Sequence, residues 1–251
     1  MRAQVDHGDE LMDGCSDAAE LDRTFDDLDR INRWLGGQSD VLRALRRLIP
    51  APGAATVLDI GCGGGDACVA IARWGSRSAR RIDVTGIDRN APAVALARRR
   101  ARAAATRQDH GAHPGTGQIR FATADALHLP FADRAFDIVL MSLTLHHFRG
   151  DAFHCVVREM ARVARRAVVV NDLCRTWPNY AGAKLLSATL WRRSRLTRHD
   201  APLSVLRGFT AGELERALRV PGLRPARIRR RFFHRLVAVA ERTDAPPAGV
   251  T

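Results

Sequence analysis

The chain has 251 residues, 46% of them hydrophobic, which is typical of one globular domain with a full core. It contains no apolar run near the roughly 20 residues of a membrane-spanning helix and no apolar signal-peptide core, so we expect a soluble, cytoplasmic protein. Arginines carry almost all of the net charge of +13, and they are spread along helical stretches with little aromatic interleaving, which argues against nucleic acid as the partner.

Residues 1–52 are predicted to form an N-terminal tail and a helical cap. The segment up to about Gly14 is polar, and we expect it to be loosely held. From Ala18 to Ile49 the apolar residues recur at helical spacing, with one interruption at Gly36 and Gly37.

Residues 53–172 alternate between strand-like apolar runs and helical patterns, which predicts a doubly wound, mostly parallel α/β sheet. The fourth run is apolar almost throughout, as expected for a strand that is covered on both faces. Strands are expected at 56–60, 82–87, 119–123, 136–142 and 167–171, helices at 66–74, 91–105 and 151–164, and a surface loop at 108–117.

After this alternating unit the pattern changes. Residues 173–209 are predicted to form a helical lid over the substrate. Residues 210–242 are predicted to complete the core with one helix, which begins with a capping box of Thr210 and Glu213, and an antiparallel pair of strands joined by a tight turn. The proline-rich residues 243–251 are expected to be a disordered tail.

A glycine-rich segment follows the first predicted strand. Asp59, Gly61, Gly63 and Gly65 have the spacing D-x-G-x-G-x-G, and glycines there let the backbone turn tightly and approach a ligand. A dinucleotide site has G-x-G-x-x-G instead, so that a helix N-terminus receives a pyrophosphate. The corresponding final position is Asp66, whose charge would repel pyrophosphate but would suit a sulfonium cation with an amino-acid tail. This argues against a nicotinamide-dependent oxidoreductase.

Two further acids follow predicted strands. Asp88 ends the second strand about 23 positions beyond Gly65, near the spacing at which an acid contacts ribose hydroxyls in such folds. Asp125 follows the third strand, where a carboxylate can accept a hydrogen bond from an adenine amino group. Because the carboxyl ends of parallel strands share one edge of a sheet, these acids predict an adenosine ligand at that edge.

Three sequence motifs carry a family resemblance: VLDIGCGGGD at 57–66, GID at 86–88 and TADALHLPFADRAFDIVLMSLTLHHF at 123–148. The chain resembles the class I S-adenosylmethionine-dependent methyltransferases, in particular the small-molecule branch that includes the ubiquinone and menaquinone biosynthesis enzymes. The resemblance covers roughly residues 57–172. It implies a Rossmann-like sheet with a C-terminal antiparallel strand, and S-adenosyl-L-methionine as the cofactor.

The same resemblance implies roles for individual residues. It places the glycine loop under the methionine part of the cofactor, the second-strand acid and its neighbour at the ribose, the third-strand acid beside adenine, and the end of the fourth strand next to the sulfonium. The residues implied for the methionine part are Asp59, Gly61, Cys62 and Gly63, and those for the ribose are Asp88 and Arg89. The residues implied for adenine are Asp125 and Ala126, and those for the sulfonium are Ser142 and His147.

The candidate catalytic residues are His147, Asp172 and His199. A hydroxyl acceptor must lose its proton, a phenol has a pKa near 10, and a general base within reach accelerates such a step by roughly 10²–10⁴. His199 stands beside Asp200 in a segment interpreted as a covering loop, as a base with its orienting carboxylate would. Packing or cofactor contact is the alternative role for His147, and an exposed loop position is the alternative for His199.

We expect methyl transfer to the hydroxyl of a small phenolic or quinonoid molecule in natural-product biosynthesis, and an apolar lid suits an aromatic or polyketide-like acceptor. Methylation of carbon or nitrogen, or of a structured RNA, is the alternative, and a binding module without turnover is another. The five cysteines contain no CxxC pair, so the sequence predicts neither a disulfide framework nor a metal site. The sequence defines no oligomeric state.

Overall fold

A seven-stranded sheet lies at the centre of the computed structural model, which describes residues 10–34, 36–106, 117–192, 194–231 and 234–244. The strands are β1 (Gly53–Ile60), β2 (Arg80–Asp88), β3 (Ile119–Thr123), β4 (Phe136–Ser142), β5 (Ala164–Leu173), β6 (Arg227–Arg231) and β7 (Arg235–Glu241). Their order is β3-β2-β1-β4-β5-β7-β6, in which β7 runs antiparallel to β5 and β6 and the other neighbours are parallel. The predicted fold class is confirmed.

Helices cover both faces of this sheet. On one face of the sheet, Leu58 and Ile60 of β1 belong to a hydrophobic core that they share with helices from the C-terminal half of the chain. On the other face, Val57 belongs to a second hydrophobic core. Neighbouring residues of β1 thus enter different cores, because successive side chains of a strand point to opposite faces. The helices are α1 (Ala18–Trp34), α2 (Gly37–Leu48), α3 (Asp66–Ser76), α4 (Ala91–Thr106), α5 (Gly150–Val163), α6 (Trp177–Ala188), α7 (Arg195–Arg207) and α8 (Ala211–Ala217).

The strand bounds agree with the prediction where the apolar pattern is unbroken. β3 and β4 begin and end at the predicted residues. β5 is longer than predicted because Arg165 and Arg166 interrupt its apolar run, yet their backbones continue the strand. The guanidinium of Arg165 reaches the Asp137 carboxylate at 2.7 Å, so the charged side chain is paired beside the neighbouring strand.

The expectation of a loosely held N-terminus is wrong for residues 10–14. Leu11–Gly14 form a turn of 3₁₀ helix, and Glu10 before it is 4% exposed. The backbone N–H groups of Leu11 and Met12 donate to the two oxygens of Asp200, at 2.9 and 3.0 Å. The polar composition hid this arrangement, because the partners that hold the segment are nearly 190 positions away.

The predicted lid segment contains α6 and α7, which pack against each other. The interpretation of His199 and Asp200 as part of a covering loop is wrong, because both lie within α7. The capping box that begins α8 is confirmed: Thr210 accepts from the Glu213 N–H at 3.3 Å, and Glu213 accepts from the Thr210 N–H at 2.8 Å.

Several predictions fall outside the described residues. They concern the surface loop at 108–117, of which only Gly117 is described, the last two residues of the strand expected at 227–233, and most of the tail at 243–251. Within the described ranges, no helix is both long and apolar enough to cross a membrane.

Candidate active site

A cavity of about 520 Å³ lies at the carboxyl ends of β1, β2 and β4. β1 stands between β2 and β4, so the strand order reverses at this point of the sheet. Ligands of open α/β sheets bind in such a crevice. All ten residues predicted to bind the cofactor line this cavity: Asp59, Gly61, Cys62, Gly63, Asp88, Arg89, Asp125, Ala126, Ser142 and His147.

The loop after β1 needs its glycines. Gly61, Gly63 and Gly65 have φ angles of 71°, 49° and 79°, in the left-handed region that other residues seldom adopt. A Cβ on Gly61 would lie 2.3 Å from Cγ2 of Thr144, so a side chain there is excluded by contact as well. The Gly61 N–H donates to the carbonyl of Ile87 at 2.8 Å, which fixes the loop to the end of β2.

Asp59 places a buried carboxyl group at the floor of the cavity. It is 2% exposed and accepts a hydrogen bond from Cys68 Sγ at 3.3 Å. Burial raises the pKa of Asp59 to about 7, against the effect of the Cys68 hydrogen bond and with a contribution from the Asp88 charge. A cation placed beside this group would favour its ionised form. Burial likewise raises the pKa of Asp66 to about 7, although Arg100 opposes the shift.

The two acids that follow β2 and β3 accept backbone hydrogen bonds from the loops around the cavity. Asp88 accepts from the N–H of Gly63 and from the N–H of Asn90, both at 2.9 Å. Asp125 accepts from the Leu127 N–H at 2.9 Å. Asp88 therefore connects the glycine loop to the end of β2 and still lines the cavity.

The N-terminal segment, predicted as a helical cap, contributes residues to the cavity that were not among the predicted cofactor-binding residues. Leu21 and Phe25 of α1 pack with Ala93 and Leu96 of α4. The Phe25 ring lies against the glycine loop, since a Cβ on Gly63 would come within 2.7 Å of its Cε1. The apolar stripe of α1 predicted a buried face, but its spacing does not say what that face covers. The same segment also contributes Met12, Leu28, Asp29 and Asn32 to the lining.

A buried ion-pair network stands behind His147. Glu10 directs its carboxylate to His146 Nε2 at 3.5 Å, to His147 Nε2 at 3.6 Å and to Arg207 Nη1 at 3.6 Å. It also accepts a hydrogen bond from Ser204 Oγ at 2.7 Å. No local pattern could have shown this network, because its members come from three distant parts of the chain.

Asp172 completes the network from the other side. It is fully buried, accepts from the backbone N–H of His146 at 3.2 Å, and has Oδ1 2.7 Å from His146 Nδ1. Burial alone would lower the pKa of His146, but the carboxylates of Asp172 and Glu10 outweigh it and raise that pKa to about 10. Burial would raise the pKa of Glu10, but His146 and the other neighbours lower it to about 2. His146 is therefore positive and Glu10 is negative at neutral pH.

Glu10, His146 and His147 each offer one possible metal-ligand atom, and these atoms lie within 4.8 Å of one another. The sequence predicted no metal site, since residue 10 gave no sign of approaching the two histidines. Two acidic side chains, Glu10 and Asp172, are each within 4 Å of basic ones: Glu10 contacts His146 and Arg207, and Asp172 contacts His146. We therefore interpret this cluster as an ion-pair network.

Of the three predicted catalytic residues, only His147 lines the cavity. His199 lies on α7 with its ring about half exposed, and its Nδ1 is 2.8 Å from Asp200 Oδ1. The Asp200 carboxylate holds the N-terminal turn, and neither residue of this His–Asp pair lines the cavity. Asp172 contacts His146 and does not reach the cavity surface.

The known proteins that this chain resembles include several methyltransferases. Residues 57–167 match a family described as a methyltransferase domain. The 27-O-demethylrifamycin SV methyltransferase of Amycolatopsis mediterranei is 34% identical over 121 residues, which are 48% of this chain and 39% of that protein. The demethylmenaquinone methyltransferase of Thermotoga maritima is 29% identical over 148 residues, 58% of this chain and 56% of that protein.

A solved structure shares the fold. The SAM-dependent methyltransferase from Aquifex aeolicus superposes with a TM-score of 0.62 at 16% identity, covering 91% of this chain and 100% of that one. The chain spans about half the length of the curated relatives it matches. The matched family domain, residues 57–167, includes the glycine loop, and the N-terminal cap lies outside it.

Proposed function

Because residues 57–167 match a methyltransferase domain family and the chain resembles the class I S-adenosylmethionine-dependent methyltransferases, we propose that the protein transfers a methyl group to a hydroxyl oxygen of a small phenolic or quinonoid molecule. The matched domain supports the predicted family resemblance, and an enzyme with S-adenosylmethionine as its cofactor is part of this proposal. One observation carries the choice of oxygen: His147 lines the cavity at the end of β4 and has the Glu10 carboxylate behind it.

The residues of the cavity fit this cofactor. The glycine loop leaves a cradle that a Cβ at Gly61 or Gly63 would fill. Asp59 is a buried carboxyl with a pKa of about 7, which a positively charged ligand would ionise. Asp88 and Asp125 stand at neighbouring strand ends, where they would hold the ribose and the adenine. When bound, the cofactor supplies a methyl group on a sulfonium, and that sulfur becomes a neutral thioether as the methyl leaves.

His147 is the proposed general base. As the acceptor oxygen forms its bond to the methyl carbon, the hydroxyl proton passes to the His147 ring, at the nitrogen that does not face Glu10. A positioned base of this kind is worth roughly 10²–10⁴ in rate. Its removal would still leave the catalysis that comes from holding the acceptor in line with the methyl group.

Glu10 and Asp172 are proposed positioning residues. Glu10 Oε2 lies 3.6 Å from His147 Nε2, so its charge stabilises the imidazolium that forms when the proton arrives. Asp172 orients His146, whose ring lies against that of His147 with 4.5 Å between the centroids. The pair of His199 and Asp200 is proposed to act at a distance, by fastening the N-terminal turn over the cavity.

The acceptor class follows from the walls and from the relatives. Apolar residues line much of the cavity beside His147, and such a lining suits an aromatic or polyketide-like molecule of natural-product metabolism. One relative is named for O-methylation of a rifamycin and another for methylation of a menaquinone precursor. Methylation at carbon or nitrogen of a small molecule, or of RNA, is the alternative. An amine nitrogen needs no base during its attack, whereas a carbon acceptor must also lose a proton, so the position of the methyl group in the product separates these cases.

The test uses the purified protein, S-adenosylmethionine and a panel of hydroquinones and phenols. His147→Gln is expected to lower the transfer rate by roughly 10²–10⁴ while S-adenosylhomocysteine affinity changes by less than about tenfold. His154→Gln, an exposed histidine of α5 outside the cavity, is the matched control and should behave as the unmodified protein. Full activity of His147→Gln would show that the acceptor needs no such base and would refute this assignment.

A further inference from the structure

α6 exposes an apolar stripe. Its exposed positions follow helical spacing, so they lie along one side of the helix. Trp177 is 67% exposed and Leu185 is 65% exposed, and Leu190, just beyond the helix, is 62% exposed. We call this side the α6 face, and its residues are Trp177, Ala181, Lys184, Leu185 and Ala188.

Such exposure is unusual for side chains of this size. Of the five large hydrophobic residues exposed in the described part of the chain, three lie between 177 and 190. Scattered single cases need no explanation, but grouped apolar side chains on one surface mark a contact site for a protein or a membrane. The opposite side of α6 is occupied by its packing against α7, so the stripe is not the core-facing side of the helix.

The charged residues of the segment that carries the α6 face have one sign. Residues 173–199 contain no Asp or Glu, and they include the only lysine of the chain, Lys184, together with the exposed Arg192 and Arg198. A second copy docked face to face would bring these positive groups against each other, because an isologous contact repeats the same patch. An RNA would gain little from exposed leucine side chains.

We propose that the α6 face docks on a bilayer surface that carries anionic lipid headgroups. Tryptophan prefers the interface between headgroups and acyl chains, where Trp177 and Leu185 would insert. Lys184 can extend from the same face to the phosphates, and Arg192 and Arg198 add attraction nearby. The helix lies along the membrane rather than across it. α6 leaves the carboxyl end of β5, at the sheet edge that bears the cavity, so an acceptor dissolved in the bilayer would be near the site.

This proposal goes beyond the proposed function and does not depend on it, since binding is measured without turnover. The full chain is sedimented with vesicles of phosphatidylcholine containing about 30% phosphatidylglycerol, and with vesicles of phosphatidylcholine alone. Binding to the anionic vesicles is expected, with little binding to the neutral ones. Trp177→Ser combined with Leu185→Ser should weaken binding at least about tenfold, and Lys184→Gln about fivefold.

A matched control separates the α6 face from the general positive charge. Arg99 and Arg102 are exposed on α4, which packs by β2 and β3 at the opposite end of the sheet. Replacing both with glutamine removes two charges and should change vesicle binding by less than about twofold. The serine variants alter exposed side chains, so their melting temperatures should match the unmodified protein; Leu190→Ser is the second variant if one of them unfolds.

Three results would overturn the proposal. The first is that the unmodified protein does not bind anionic vesicles. The second is that the α4 control loses as much binding as the α6 variants, which would show nonspecific attraction. The third is that the protein is a dimer by light scattering and becomes a monomer on Trp177→Ser, which would make the face a contact between two copies.

Discussion

Replacing Asp88 with alanine tests the proposed cofactor site at a residue with defined local contacts. Its carboxylate accepts two backbone hydrogen bonds at 2.9 Å, from Gly63 and Asn90, and it lines the cavity. A hydrogen bond to a charged group contributes about 1.5–3 kcal/mol, so loss of the ribose contact should weaken S-adenosylhomocysteine binding about 10- to 150-fold. Loosening of the glycine loop adds to this effect.

The assay is titration calorimetry with S-adenosylhomocysteine, paired with thermal unfolding. Asp88→Asn keeps one carbonyl acceptor and should fall between the alanine variant and the unmodified protein. Asp151, an exposed carboxylate in the first turn of α5, does not line the cavity, and Asp151→Ala controls for the general effect of removing a negative charge. If Asp88→Ala keeps its melting temperature and binds within threefold of the unmodified protein, the assignment of Asp88 is refuted.

Three further predictions follow from the same geometry. Asp59 has a pKa of about 7, and a cationic ligand favours its ionised form. The affinity for S-adenosylmethionine should therefore fall about tenfold when the pH is lowered from about 8 to about 6. Calorimetry should find a much weaker pH dependence in Asp59→Asn. Gly61→Ala should lower the free energy of unfolding by more than about 1 kcal/mol in denaturant titration, whereas Gly182→Ala, with open space around its Cβ position, should be neutral or slightly stabilising. The Glu10–His146 pair has one lowered and one raised pKa, so its stabilisation is complete between about pH 4.5 and about pH 6.5. It declines as the pH falls towards 2 or rises towards 10. Glu10→Gln should remove the acid limb of this dependence from the unfolding profile and weaken the alkaline limb, which Asp172 also supports.

The cavity edge was predictable because its signals are local. Asp59, Asp88 and Asp125 each end or follow a strand, and parallel strands bring those ends together without any further information. The glycine motif also indicated that the ligand is positively charged. The structure places all three acids on one cavity, as the topology requires.

The proposed base, His147, and its surroundings were less predictable because they depend on contacts between residues that are distant in the sequence. Glu10 looked like part of a polar tail, and only the fold brings it to His146 and Arg207. His199 and Asp200 formed the most suggestive local pair, but their position within α7 directs them to the N-terminal turn. When two residues are adjacent in the sequence, we can predict that their side chains interact. Their adjacency does not predict which surface of the protein they face.

The position of the transferred methyl group in the product shows directly whether oxygen is the acceptor atom. The protein is incubated with S-adenosylmethionine carrying a ¹³C-labelled methyl and with the hydroquinone acceptor that it converts fastest, and the product is examined by carbon NMR. We expect the label to be bonded to oxygen and His147→Gln to suppress its appearance. A label on carbon or nitrogen, or a bound cofactor with no transfer to any hydroxyl acceptor, would contradict the proposed function.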